Sequence, residues 1–252
     1  TEAEAGEPIT LYDALDERDE AAYIANMARR RQEMGTRPGE IAVLYRTNGQ
    51  SRVIEEAFVR GGETYRVYGG LKFYDRKELR DVLAYLSVIC NPNDTVRFSR
   101  IINEPKRGIG DATVEEIIRI ADELNMSPVD VCRDASQFET LSRKSAALKA
   151  AANLFDELDE LADTLRLDEL IDAVAEKSGY IKAMQALGEE GAGRIENITE
   201  LKSNAMTLLD ENPETTLPDF LEQVALVSDL DSYDGDLDRV SLMTMHSAKG
   251  LV

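Results

Sequence analysis

The 252-residue sequence predicts an α/β chain with a large all-α insertion. Two apolar runs that end in polar, cationic residues lie far apart, 41–45 followed by Arg46 and Asn48, and 240–243 followed by Thr244 and His246. Both read as short strands whose ends present ligand groups, as strand ends do in α/β sheets. Strand, helix and strand alternate over 41–68, which predicts parallel pairing. Almost everything after that and before 240 carries apolar residues at helical spacing, so the sheet is interrupted by helices.

In order, residues 9–12 form a short β-prone run, and Asp16 is placed to cap a helix over about 17–34 that Gly35 closes. Ala21, Ile24, Ala25 and Ala28 give that helix one apolar face. The unbroken apolar run 41–45 suits a central parallel strand buried on both faces. A helix over about 50–60 ends at Gly61 and Gly62, and the chain returns through a strand at 65–68.

After Gly69 and Gly70 the texture changes. Leu79, Val82, Leu83, Leu86 and Ile89 make a helical stripe that stops at Asn91 and Pro92, and Phe98, Ile101 and Ile102 mark a short helix before Pro105. A further helix begins near Asp111 with Val114, Ile117, Ile118, Ala121 and Leu124 on one side. Others are expected at about 128–134, 142–165, 168–177, 194–210 and 217–227, with Pro128 and Pro218 in first turns. The expected segments are 1–72, a helical insertion over 73–235, and a return strand in 236–252.

Composition narrows the function classes. A hydrophobic share of 43% and a charged share of 31% are globular values. No run of about 18 apolar residues occurs, and the N-terminus is acidic, so a cytoplasmic protein without membrane contact is expected. Cys90, Cys132 and His246 are too few and too scattered for a zinc site, and Cys90 falls on an apolar helix stripe, which places it in the core. The aspartates at 229, 231, 234, 236 and 238 miss the calcium-loop spacing around Gly235 and read as a solvated linker. No metal site is expected.

A formal net charge of -20 opposes generic phosphate binding. Its distribution does not: residues 41–120 hold 13 Lys or Arg against 11 Asp or Glu, while the rest of the chain carries the remaining 16 and 38. Arg46 offers a planar fork suited to phosphate, and Asn48 a donor and an acceptor for sugar or base. Gln50 and Arg52 open the next helix, where free amides can hold an anion. Lys106, Arg107, Gly108 and Gly110, followed by Thr113, read as a glycine turn offering amides and cations at a helix start, a phosphate-binding pattern without base specificity. Lys72, Phe73, Tyr74, Arg76 and Lys77 fit either a nucleic-acid clamp or a hinge packing its rings on the sheet domain. Asp156, Glu157, Asp159, Glu160 and Asp163 form a solvated acidic helix face, with a protein-partner surface as its second role.

Residues 43–52, 68–78, 105–110 and 243–251 together resemble superfamily 1 DNA helicases of the UvrD/PcrA type, in order and spacing across about 17–251. The resemblance implies a partial RecA-like parallel sheet domain (2A) interrupted by a helical 2B domain. It implies that Arg46, Asn48, Thr244 and His246 contact single-stranded DNA, that Lys106, Arg107, Gly108, Gly110 and Thr113 contact duplex, and that Lys249 and Gly250 couple DNA to nucleotide. The family follows Lys-Gly-Leu with a glutamate that binds ribose, whereas Val252 stands here. No Gly-x-x-x-x-Gly-Lys-Ser/Thr loop occurs in the sequence, so ATP and magnesium are expected in a full-length parent and none on this chain. The implied function is part of an ATP-dependent 3' to 5' helicase, inactive alone, whose partners are single-stranded and duplex DNA and the other helicase domains of the same parent. The alternative is a non-enzymatic protein-interaction or DNA-binding adaptor.

Overall fold

The computed structural model describes residues 8–46, 48–68, 73–232 and 238–248. The chain divides into two compact units, Thr1–Lys72 with Leu230–Val252, and Phe73–Asp229. The first is an α/β layer and the second is helical.

In the α/β unit, helix α1 spans Glu17–Glu33. The Asp16 carboxylate accepts the Arg18 and Asp19 N–H groups at 2.9 and 2.8 Å, satisfying donors that have no partner within the helix. Glu17, Asp19 and Glu20 lie in its first turn and Arg30 and Arg31 in its last, each complementing the helix dipole. Its buried face is all small, Ala21, Ala25 and Ala28, which lets α2, Ser51–Gly61, approach closely. Arg29 and Gln32 both donate to the Glu63 carboxylate, at 3.0 and 2.6 Å, and fasten α1 to the end of α2.

Strands β1 (Ala42–Tyr45), β2 (Tyr65–Tyr68) and β3 (Val240–Thr244) form a parallel sheet in the order β1-β3-β2. This corrects the expectation that 41–45 is central and buried on both faces. Within the described sheet β1 is an edge, with Ala42 and Leu44 exposed, and the central place belongs to β3, whose Val240 and Leu242 are fully buried. The β-prone run at 9–12 is likewise no strand. Tyr12 instead stacks on Tyr23 of α1 at 3.9 Å between ring centroids, and its hydroxyl donates to Asp19.

The helical unit contains α3 (Lys77–Cys90), α4 (Thr95–Ile101), α5 (Asp111–Leu124), α6 (Pro128–Arg133), α7 (Ser145–Ala162), α8 (Leu167–Lys177), α9 (Tyr180–Gln185), α10 (Glu189–Glu211) and most of α11 (Leu217–Ser232). Its core gathers Tyr85, Phe98, Ile101, Ile117, Leu148 and Tyr180, all at or below 1% exposure. Burying a side chain of that size stabilises by about 1.5–3 kcal/mol. Cys132 belongs to this core, whereas Cys90, expected there, is exposed because it closes the last turn of α3.

One polar group is built into the interior. Asp81 of α3, 2% exposed at its side chain, accepts from Lys77 at 2.7 Å and from the Tyr180 hydroxyl at 2.8 Å, and lies 2.7 Å from Nε of Arg100. The rings of Phe73 and Tyr74 are buried in the same helical core. Buried there, the two rings are not offered as a nucleic-acid clamp. Tyr74 is fastened by Asn204 of α10, and Arg76 donates to Asn197 Oδ1 at 2.7 Å. Lys72 lies outside the described residues. No helix among the described residues is long and apolar enough to cross a membrane.

Candidate nucleic-acid interface

Parallel strands deliver their carboxyl ends to one side of a sheet, so residues following different strands meet there however distant in sequence. Tyr45, the last residue of β1, stands opposite Thr244, the last of β3. Arg46 thus leaves the sheet beside Thr244, and the helical turn Met245–Ala248, which carries His246, starts at the same end. The two motifs at opposite ends of the chain become one edge. Arg46 is exposed, and its backbone N–H donates to Oε1 of Gln50 at 3.0 Å, which closes the passage from β1 into α2. Thr244 is half-buried. The side chains of Asn48 and His246, and all of Lys249 and Gly250, lie outside the described residues.

Arg52 departs from the sequence reading. It is buried, and its NH1 lies 2.9 Å from Oε1 of Glu56, one turn on in α2. A guanidinium so placed holds α2 together and is not offered to an anion in front of the helix. Among the described residues of the two motifs, the exposed cation at this end of the sheet is Arg46.

The second candidate surface lies in the helical unit, on the turn between α4 and α5. Asn103 Oδ1 accepts the Arg107 N–H at 2.7 Å and the Ile109 N–H at 3.2 Å, so one side chain closes the turn, and Ile109 is buried as its anchor. Gly108 sits at φ +73, which disfavours any residue with a Cβ, and it is exposed. Gly110 stands at the start of α5 without a side-chain cap, and an added Cβ there would meet nothing within 4 Å. Lys106 is exposed and Thr113 half-buried on the first turn of α5.

The Arg107 guanidinium points inward. Its NH1 donates to the carbonyls of Ile101, Ile102 and Pro105 at 3.1, 3.3 and 3.2 Å, and its NH2 to Tyr85 Oη at 2.7 Å and to the Ser178 carbonyl at 2.9 Å. The guanidinium expected to face a phosphate is thus engaged by protein oxygens. Sequence reading also missed a cation. Lys144, exposed just before α7, donates from Nζ to the Gly108 carbonyl at 2.9 Å and so stands at the same turn. The Arg143-Lys144 pair was visible in the sequence, but nothing local connects it to a turn 36 residues away.

The acidic face of α7 is partly engaged. Asp156 pairs with Arg133, and Glu157 with Lys177 at 2.5 Å. Such exposed pairs contribute little to stability.

The fold defines the class: a mixed α/β chain in which a parallel-sheet unit is interrupted by a helical one. It belongs to the UvrD-like helicase C-terminal domain family, which it matches over residues 1–252. Among curated proteins it is similar to the ATP-dependent DNA helicase PcrA of Staphylococcus aureus and to that of Staphylococcus epidermidis, each 40% identical over 252 residues, covering 98% of this chain and 34% of the relative. The chain spans about a third of the length of these relatives. The relatives' name implies a nucleotide; this sequence contains no phosphate-cradling glycine loop with its lysine, and no group of three His, Cys, Asp or Glu among the described residues could hold a metal ion.

Proposed function

We propose that this chain is the DNA-contacting part of an ATP-dependent 3' to 5' DNA helicase that works in repair or replication in the cytoplasm. In this reading the α/β unit is most of a second RecA-like domain, residues 1–72 and 236–252, and 73–235 is its inserted helical domain. ATP and magnesium would be held by other domains of the parent, and no step of nucleotide chemistry falls to the residues here. The observation that supports the reading best is the register of Tyr45 against Thr244, which puts Arg46 and Thr244 side by side at the carboxyl end of the sheet.

There the exposed Arg46 fork would hold a phosphate of the single strand, the Thr244 hydroxyl would offer a second contact, and Asn48 and His246 would complete the track. Lys249 and Gly250 would pass the state of the nucleotide to that track. On the helical unit, Lys106, the amides around Gly108 and Gly110, Thr113 and the neighbouring Lys144 would meet the duplex backbone. The acidic face of α7 is left as a surface for basic protein partners.

Fluorescence anisotropy of this chain with single-stranded and duplex DNA over a salt series tests the reading. Arg46→Ala is expected to weaken single-strand binding and to lower the slope of log affinity against log salt by about 0.7, since one phosphate contact is lost. Duplex binding should be unchanged by that substitution. Salt-insensitive or absent binding would favour a protein-interaction module instead.

A further inference from the structure

Arg107 bonds five neutral oxygens, and their positions explain why a cation is there. Ile101 and Ile102 are the last residue and the C-cap of α4, and Ser178 is the C-cap of α8. The guanidinium therefore sits between the carbonyl ends of two helices, where the terminal carbonyls and the negative ends of two dipoles favour positive charge. Tyr85 Oη accepts from Arg107 and donates to the Glu104 carbonyl at 2.7 Å, and the guanidinium lies 5.8 Å from the centre of that ring. A lysine has no planar fork and cannot serve these directions at once. The backbone of the same residue is held by Asn103, so both ends of Arg107 are fixed.

We infer that Arg107 is a positioning residue: it pre-organises the turn carrying Gly108 and Gly110 against α3, α4 and α8, while the charge offered to a phosphate comes from Lys106 and Lys144. The inference rests on the reading that this turn meets duplex DNA. A turn already held in its binding conformation loses little conformational entropy on binding, so the fork raises affinity without touching the ligand.

The test measures duplex affinity of this chain over a salt series for Arg107→Lys, Tyr85→Phe and Lys106→Ala, with amide hydrogen exchange of the unliganded proteins across 103–112. Arg107→Lys keeps the charge, so the salt slope should stay at the wild-type value while affinity falls roughly three- to tenfold and exchange at Ile109 quickens. Tyr85→Phe, at a buried position, should act in the same direction with a smaller loss. Lys106→Ala should lower the slope by about one and leave exchange unchanged.

Duplex binding of Arg107→Lys at the wild-type level, with wild-type exchange, would overturn the inference and make Arg107 an ordinary charge. If the wild-type chain has no salt-dependent duplex affinity, or Lys106→Ala leaves the slope intact, the reading of the turn as a DNA surface fails, and the role in binding falls with it. Exchange separates the two failures, because quickened exchange in Arg107→Lys would still mark the fork as the element that holds the turn.

Discussion

The half-buried Arg107 and the buried Asp81 show two ways of placing a charge inside the helical unit. Arg107 is met by carbonyls and a hydroxyl, whereas Asp81 is met by two cations and the Tyr180 phenol. Burial pushes the Tyr85 phenol up to about 12, so it keeps the proton it donates to Glu104 throughout the physiological range. Burial likewise raises Tyr180, with the Asp81 charge adding to the effect. Removing Asp81 strands the Tyr180 hydroxyl and takes the carboxylate from Arg100, while Lys77 keeps Glu104 at 3.0 Å. Asp81→Ala should therefore cost the helical unit about 3 kcal/mol in urea unfolding, and Asp81→Asn distinctly less. An Ala variant with unaltered stability would mean that the network contributes nothing net. A Lys-Arg-Gly string reads the same in sequence whichever way the arginine turns, which is why its inward fork and the reach of Lys144 were not legible there.

At the scale of elements, the helices were legible where an apolar stripe ran for several turns, as in α3 and α5, and where a cap marked the start, as Asp16 does for α1. Helix α9 was missed because six residues after a glycine carry too little periodicity. The place of β1 was missed for another reason. A run of apolar residues states that a strand is buried, but strand order is set by pairing with β3, almost 200 residues on, and no local pattern encodes it. Helix α10 offers a paired test of packing. An added Cβ at Gly191 would stand 1.7 Å from the Met184 carbonyl oxygen of α9, whereas one at Gly193 meets nothing within 4 Å. Gly191→Ala should destabilise by about 2 kcal/mol or more through a clash with rigid backbone. Gly193→Ala, two residues away, should stabilise by about 0.5–1 kcal/mol by removing a flexible residue from a helix interior. Equal effects at the two positions would show that α9 shifts to make room.

At the scale of the whole molecule, the strand that fills the middle of the described sheet is the last of its three strands to leave the ribosome. Among the described residues β1 and β2 pair only with β3, so this sheet waits for residues 240–244, by which time the entire helical unit has been made. The sheet is therefore the part of high contact order, and its closure is slow unless the intervening chain shortens the search. Folding of the helical unit does so: Tyr74 near its start and Val224 near its end line one cleft within it, so the effective loop between β2 and β3 is far shorter than the count of residues. In pulse-labelled refolding, amides of α3 should gain protection before those of Val240 and Ser241, which donate to Thr64 and Ile41 across the sheet. Simultaneous protection would mean that the strands find each other without help. The order-of-assembly consequence extends to damage within the helices: a substitution that stalls α3 to α11 delays the meeting of Arg46 with Thr244, even though it touches neither.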